Sequence, residues 1–214
     1  MRMRLLLSTL LAVCFASTAD AATVGADHGN ILVDGKAITR GGHDFDPVLS
    51  PDGKRVVFRR LTGGVSLEDC AADATTTKAQ ELWSAGVDGK GALRLLTLKS
   101  DPDVKKTLCA FDNLQFSSGG QLLYFETPAW ATSGAVHVYD FKTRTERFFL
   151  AGNGVQVLNR CRDARYRDDL IVAQHRYFVF EGSYDWSFLF TPAGKEVGPL
   201  GDGDFSSAVA DACG

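Results

Sequence analysis

Few side chains in this chain of 214 residues have the types and spacing that catalysis or metal binding requires. His43-Asp44-x-Asp46 contains residue types that bind metals, but successive side chains of a strand point to opposite faces, so one ion cannot readily collect all three. Asp202 and Asp204 could contact calcium, yet they lack a ligand-rich loop with a closing glutamate. Neither a G-x-S-x-G nor an H-E-x-x-H sequence is present. The sequence therefore predicts no catalytic residue, no metal site and no cofactor.

Aromatic and arginine side chains in the longer connecting segments are the better candidates for binding. Such residues are the usual anchors of protein interfaces. The alternative is that the arginines pair with Asp163, Asp168 and Asp169 in a solvated loop, and that Trp186 begins a core strand. The candidate interaction residues are Trp130, Arg160, Arg162, Arg165, Tyr166, Arg167, Tyr184 and Trp186.

The first 21 residues have the features of a secretory signal peptide. Arg2 and Arg4 precede a short apolar run, and Ala19-x-Ala21 fits the small-residue cleavage pattern. We predict cleavage after Ala21, which places residues 22–214 in the periplasm or outside the cell as a single domain. A lipidated Cys14 is the alternative, although Val13 stands where a lipidation signal needs a small residue.

Overall composition excludes several classes of protein. The chain is 45% hydrophobic, too apolar for a disordered protein, and its formal net charge of −3 argues against nucleic-acid binding. No segment after residue 21 is long and apolar enough to span a membrane. These features indicate an exported globular protein.

Four cysteines follow the predicted signal peptide, an even number typical of disulfides in an oxidising compartment. None belongs to a C-x-x-C pair, which argues against zinc binding and redox chemistry. We favour the pairs Cys70–Cys109 and Cys161–Cys213. The second pair is geometrically harder, because Cys213 should emerge on the opposite side unless the tail folds back. The connectivity therefore stays open.

A repeated strand pattern predicts the fold. Three short β-rich segments each end in phenylalanine followed by a charged residue, and each is followed by a second hairpin. Four antiparallel strands recurring three times predict an all-β protein, a small β-propeller with three blades. The three segments are 56–59, 123–126 and 178–181; tight turns precede the first two at 50–54 and 117–121, and the second hairpins turn at 87–90, 142–143 and 192–195.

The first copy of the repeat resembles a known family. Residues 44–58 resemble the TolB-type, WD40-like propeller repeat, whose first turn has the sequence S-P-D-G found at 50–53. Leu82-Trp83 and Asp88-Gly89 resemble its third strand and the turn after it. The resemblance implies a β-propeller that commonly serves as a protein-interaction platform in the bacterial periplasm. The segment before residue 44 is too short for the N-terminal domain of TolB, so a Tol–Pal role is not implied.

The two chain ends are expected to complete the propeller. Residues 31–40 have the pattern of a final hairpin, and residues 204–209 resemble the first strand at 44–49. Together they would form a composite fourth blade, which would hide unpaired strand edges. The alternative is an open arc.

The long connections suggest how the protein acts. Segments 62–80, 99–111, 127–134 and 152–168 are all predicted on the face opposite the tight turns, and binding surfaces usually lie on such loops. We predict an exported, non-enzymatic module that recognises another protein of the envelope, or a secreted toxin or enzyme, for example in an immunity- or inhibitor-type role. The alternative is a carbohydrate-binding or carbohydrate-active propeller that stacks sugars on Trp130, Tyr166 or Trp186. The sequence does not exclude a catalytic carboxylate pair.

Overall fold

Fifteen short strands build the part of the chain that the computed structural model describes, which is residues 22–65 and 78–203 together with Val209 and Cys213. The predicted signal segment 1–21 and Cys70 lie outside it. One 3-10 turn occurs at Val104–Lys106. The strands are β1 (Val24–Asp27), β2 (Asn30–Val33), β3 (Lys36–Ala37), β4 (Asp44–Leu49), β5 (Arg55–Val65), β6 (Lys78–Gly86), β7 (Leu93–Thr97), β8 (Asp112–Phe116), β9 (Leu122–Trp130), β10 (Ser133–Asp140), β11 (Thr145–Ala151), β12 (Asn153–Val157), β13 (Leu170–Tyr177), β14 (Ser183–Phe190) and β15 (Glu196–Gly201).

These strands form four antiparallel sheets in which sequence neighbours are also spatial neighbours. The first sheet contains β1 to β3, and the second, third and fourth sheets contain β4 to β7, β8 to β11 and β12 to β15. Between the first and second sheets β1 lies against β4, and between the third and fourth sheets β8 lies against β12. This is the blade arrangement of a propeller, and it confirms the all-β prediction.

Local side-chain chemistry forms the predicted tight turns. The Ser50 hydroxyl donates to Asp52 at 2.6 Å and accepts from the Arg55 amide at 3.0 Å, while Gly53 adopts a φ of +68°. Ser117 occupies the corresponding position in the next blade, where its hydroxyl accepts from the Leu122 amide at 3.1 Å. A side-chain oxygen therefore fixes the strand register at each turn.

Along the second strand of a blade, successive side chains point to opposite faces of the sheet, and they form the core on both sides. Val56 and Phe58 pack towards the first sheet, whereas Val57 packs with Leu82 towards the third sheet. The same two-residue period places Tyr124 against the fourth sheet. The second and third sheets therefore bury both faces, and each large apolar side chain buried in this way contributes about 1.5–3 kcal/mol.

The alternating strand directions give the molecule two different ends. In the three four-stranded sheets, the first-to-second and third-to-fourth connections lie at one end, which we call the turn face. Second-to-third connections and the crossovers between sheets lie at the other end, which we call the loop face. Residues 50–54 and 117–121 are on the turn face, and residues 131–132 and 178–182 are on the loop face.

The third copy of the repeat is placed differently from the prediction. Residues 178–181 are not a strand: they form the tip of the hairpin between β13 and β14. Leu170 and Val172, both fully buried, fill the core positions instead. Aromatic composition alone does not separate a strand from a hairpin tip, because both can hold β-prone residues.

The chain ends do not join as a composite blade where they are described. The first sheet takes all three strands from residues 24–37, including the unpredicted β1. Val209 is helical and packs with Leu189 and Leu200 of the fourth sheet, so it is not part of a first strand. Residues 204–208 lie outside the described part. Among the described residues no hydrophobic cluster contains side chains of both the first and the fourth sheet, and the four sheets fit either a small propeller or an open arc.

Val209 and Cys213, the described residues beyond residue 203, lie against the fourth sheet. Cys213 forms a disulfide with Cys161, the pairing favoured from the sequence, and its carbonyl accepts from the Arg162 amide at 3.1 Å. Cys109 is also disulfide-bonded. The Cys70–Cys109 pair stays a prediction, since Cys70 lies outside the described residues.

Tyr124 provides a test of the packing between the third and fourth sheets. Its hydroxyl is buried without a hydrogen-bond partner among the described residues, and burial raises the pKa of Tyr124 to about 12. We expect Tyr124→Phe to raise the free energy of unfolding by about 1 kcal/mol, because it removes an unsatisfied polar atom. Urea denaturation measures the change.

The control for Tyr124→Phe is Tyr139→Phe, which should stay within about 0.5 kcal/mol of the parent. Because the unfolded tyrosine ionises near pH 10 and the folded Tyr124 near pH 12, the parent should also lose stability across that interval. A loss of stability at neutral pH in Tyr124→Phe would contradict the buried, unpartnered hydroxyl.

Candidate functional site

The structure divides the predicted interaction residues between the two faces. Residues 158–169 connect the first and second strands of the fourth sheet, so they lie on the turn face and not, as predicted, with the long loops. Asp168 confirms the placement, because it accepts from the Ser118 amide at 2.5 Å and the Ser118 hydroxyl at 2.7 Å in a turn-face loop. The turn face holds Arg160, Arg162, Arg165, Tyr166 and Arg167, and the loop-face ends of β9 and β14 hold Trp130, Tyr184 and Trp186.

The turn-face arginine loop is held largely by its own contacts. Arg165 pairs with Asp163 at 2.6 Å, and Arg167 donates to the carbonyl oxygens of Cys161 and Arg162. Tyr166 packs half-buried against the cluster around the Cys161–Cys213 disulfide. The alternative of arginines paired with aspartates of the same loop therefore holds for Arg165, while Arg167 binds backbone carbonyls instead. Arg160 and Arg162 are exposed.

Asp169 makes the stability of this loop depend on pH. Its carboxyl group is buried, and burial together with the neighbouring Asp168 raises its pKa. The folded state therefore holds this proton to a higher pH than the unfolded state, and stability decreases as pH rises above about 4. We expect Asp169→Asn to be more stable than the parent at pH 7 by up to about 1 kcal/mol, with no gain near pH 3.

Thermal unfolding of Asp169→Asn across pH 3–8 measures this effect. Asp163→Asn is the matched control, and its effect on stability at pH 7 should have the opposite sign. Hydrogen bonds from Arg165 lower the pKa of Asp163, so the charged carboxylate stabilises the folded state. Parallel pH profiles for the parent and Asp169→Asn would show that the Asp169 carboxyl does not titrate differently in the folded state.

Trp130 forms one wall of a groove of about 370 Å³ on the loop face. The ring is 36% exposed, and its centroid lies 6.4 Å from that of Phe148 in an edge-to-face contact. Two carboxylates at the groove are already engaged. Asp112 pairs with Arg59, and Glu126 accepts from the backbone amides of residues 154 and 155 at 3.0 and 2.7 Å.

An exposed apolar hairpin is the most unusual surface feature among the described residues. Tyr177, Phe178, Val179 and Phe180 are consecutive, and their exposed fractions are 72%, 55%, 92% and 99%. Runs of this kind are rare on soluble proteins and mark interaction sites or aggregation hazards. We call residues 177–180 the apolar tip. Sequence reasoning assigned most of it to a strand, although four successive apolar residues before Glu181-Gly182 were a usable signal.

Aromatic packing at its base supports the apolar tip. The ring centroid of Phe178 lies 4.8 Å from that of Tyr184, and the ring centroid of Tyr184 lies 4.8 Å from that of Trp186. Tyr184 and Trp186 pack against the core between the third and fourth sheets. The Phe178 amide donates to the Gly182 carbonyl at 3.1 Å, and Gly182 has a φ of +88°. The candidates Tyr184 and Trp186 therefore hold the neighbouring tip in place.

His137 and the two aspartates near His43 have structural partners. His137 is buried, pairs with Glu146 and stacks on Phe125 with 5.5 Å between ring centroids. Asp44 and Asp46, which follow His43, pair with arginines of β5. Within residues 22–65 and 78–203, no group of three or more histidine, cysteine or acidic residues could hold a metal ion.

Comparison with known proteins supports the fold class. No protein-family model matches the chain, and no curated protein matches its sequence. Dipeptidyl peptidase 4 from Porphyromonas gingivalis is similar in structure, with a TM-score of 0.57 and 10% identity over 86% of this chain and 31% of that protein. TolB from Acinetobacter baumannii is also similar, with a TM-score of 0.50 and 13% identity over 84% of this chain and 40% of TolB.

These likenesses define the class of protein as β-propeller and show the fold alone. A weaker likeness, with a TM-score of 0.46 and 14% identity, is to the β-propeller domain of the Trilobed protease from Pyrococcus furiosus, over 81% of this chain and 45% of that one. The chain therefore spans less than half the length of these similar proteins. In the described part, no helix has the length and apolar character needed to cross a membrane.

Proposed function

We propose that this chain is an exported, non-enzymatic binding module that recognises another protein through its loop face. The apolar tip is the observation that supports this most strongly. Phe180 and Val179 are almost fully exposed on a hairpin whose base is fixed by packed aromatic rings. A hairpin ordered before binding loses little conformational entropy on association, and buried aromatic anchors dominate interface energies.

Export is supported by cysteine chemistry. The Cys161–Cys213 disulfide fits an oxidising compartment such as the periplasm or the extracellular space. The signal-like sequence at 1–21 gives the route. A partner in the same compartment would be an envelope protein or a secreted toxin or hydrolase, and an immunity- or inhibitor-type role is one specific form of the proposal.

Replacing Phe180 with serine tests the apolar tip. We expect Phe180→Ser to lower the affinity for the physiological partner about 30-fold, because a central aromatic anchor contributes about 2 kcal/mol or more. Tagged parent and variant are incubated with periplasmic extract and culture supernatant, and each recovered protein is quantified by mass spectrometry. Trp130→Ala tests the same face at the groove.

Arg162→Ala is the control for these variants, because Arg162 is exposed on the turn face and its substitution leaves the loop face intact. Its recovery of partners should equal that of the parent. Equal recovery of every protein by Phe180→Ser, Trp130→Ala and the parent would defeat the loop-face proposal.

The groove at Trp130 favours carbohydrate binding as a second candidate function. An exposed indole ring beside Ser133 and Asn153 offers a stacking surface and polar groups for a sugar. Because Asp112 and Glu126 are engaged in structural contacts, the groove supports binding better than hydrolysis. Glycan-array binding by the parent, lost in Trp130→Ala and retained in Phe180→Ser, would favour this candidate over protein recognition.

A further inference from the structure

We infer that the apolar tip fits an apolar pocket edged by lysine or arginine side chains on a soluble partner protein. This inference rests on the proposed function and adds the chemistry of the partner. It follows from the charges that surround the tip, which are acidic on the side that a partner would approach.

Two carboxylates flank the apolar tip. Glu181 directly follows Phe180, is exposed and makes no ion pair with any described residue. Asp185 has a side chain that is 77% exposed, and one of its oxygens lies 2.9 Å from Nδ1 of His175. Residues 177–185 contain no lysine or arginine. A partner that surrounds the tip therefore meets net negative charge at its rim.

The nearest arginine is turned away from this surface. Arg176 pairs with Glu196 at 2.6 Å and donates to the Gln174 side chain. Its guanidinium carbon lies 3.5 Å from the centroid of the Phe188 ring. Because Arg176 is held along the strands by these three contacts, it does not neutralise Glu181 or Asp185.

These charges disfavour two other partners that could cover the apolar tip: a membrane and a second copy of this chain. Segments that insert into bacterial membranes usually carry basic residues, because anionic lipids repel carboxylates. A two-fold contact between the tips of two copies would place Glu181 and Asp185 of both copies close together, and like charges at an interface cost affinity. A basic-rimmed pocket on another protein has the complementary charge.

The first arm of the test maps the surface that the tip contacts. The photo-crosslinking amino acid p-benzoylphenylalanine replaces Phe180 in the full-length protein, which is irradiated in periplasmic extract, and the crosslinked peptides are identified by mass spectrometry. We expect adducts in an apolar pocket of one protein with lysines or arginines at its edge. Adducts in a pocket with an acidic or uncharged edge would overturn the inference.

The second arm tests charge with the purified crosslinked partner. Glu181→Lys/Asp185→Lys should weaken binding about tenfold, and raising sodium chloride from 50 to 500 mM should weaken the parent but not this variant. Asp88→Lys/Asp140→Lys makes the same change of net charge on the turn face and should bind like the parent. Unchanged binding by Glu181→Lys/Asp185→Lys would overturn the inference and leave the proposed function standing if Phe180→Ser still fails to bind.

Binding of the parent protein to membranes and to a second copy of itself is measured directly. Vesicles of phosphatidylcholine with phosphatidylglycerol are floated with the parent protein, and the oligomeric state is determined by sedimentation equilibrium. We expect no vesicle binding and a monomer. Vesicle binding, or a dimer, that is lost in Phe180→Ser would replace the protein pocket with a membrane or with a second copy. If Phe180→Ser alone retains full partner binding, the inference about the tip fails; if Trp130→Ala retains it as well, the proposed function fails too.

Discussion

Replacing Arg60 with methionine is expected to lower the free energy of unfolding by about 3–5 kcal/mol, because it leaves a buried carboxylate without its partner. Asp44 is fully buried, and the Arg60 guanidinium donates to its two oxygens at 2.5 and 2.9 Å. The same hydrogen bonds raise the pKa of Arg60 above its ordinary value. Arg60 also lies over the ring of Trp83 at 4.3 Å, so its replacement loses a cation–π contact as well.

Urea denaturation followed by circular dichroism measures the loss. Arg94→Met on β7 of the same sheet is the matched control, because Arg94 forms a 2.8 Å pair with Glu81 but its side chain is 55% exposed. That variant should lose no more than about 1 kcal/mol. Adding Asp44→Leu to Arg60→Met should recover part of the lost free energy of unfolding, since it removes the unpaired buried carboxylate. Equal stability of Arg60→Met and Arg94→Met would show that the buried pair does not stabilise the fold.

Removing the Cys161–Cys213 disulfide is expected to cost about 2–4 kcal/mol. The two cysteines are 52 positions apart, and closing a loop of that length removes unfolded-state entropy equivalent to about 4 kcal/mol. The bond also holds the tail against the fourth sheet, where Val209 packs with Leu189 and Leu200. Cys161→Ser/Cys213→Ser should therefore unfold at a lower urea concentration and exchange amide hydrogens faster along β13 and β14.

Asp202→Asn is the control for the tail, because Asp202 is exposed and its substitution leaves the disulfide intact. Its unfolding midpoint should match the parent's within about 0.5 kcal/mol. A double serine variant with the parent's midpoint would mean that the tail contributes nothing to the stability of the fourth sheet. Binding by the apolar tip should persist in this variant wherever it remains folded, since the disulfide is on the turn face.

The sequence predicted elements whose cause is local. Ser50, Asp52 and Gly53 form their turn through side-chain bonds and a positive φ within five residues, so the residue types indicate the structure directly. The turns and strands of the outer hairpins, including β6 with β7 and β10 with β11, were predicted for the same reason. The strand β1 was missed, because Val24-Gly25-Ala26 contains a glycine and lacks the length of a strand signal.

The candidate site could be predicted only in part. Trp130, Tyr184 and Trp186 were predicted on the long-loop face, and the structure places them at the loop-face ends of β9 and β14; their role in binding stays a prediction. The arginines were assigned to the wrong face. A five-residue strand, β12, reverses the chain before residue 158, and its sequence alone gave no sign that it crosses the blade.

By itself the amino-acid sequence determined the all-β class and the tight turns, since each follows from residue types acting over short distances. It favoured the pairing of Cys161 with Cys213 but left the connectivity open, because four cysteines allow three pairings, and the tertiary structure decided between them. Only the tertiary structure decided which of two β-prone segments, the aliphatic residues 170–173 or the largely aromatic residues 177–180, is buried. Leu170 and Val172 fill the space against the third sheet, and residues 177–180 consequently project into solvent. Both segments have the same intrinsic preference for extended structure. In the folded protein, the segment whose side chains fill the space between the sheets is the one that is buried.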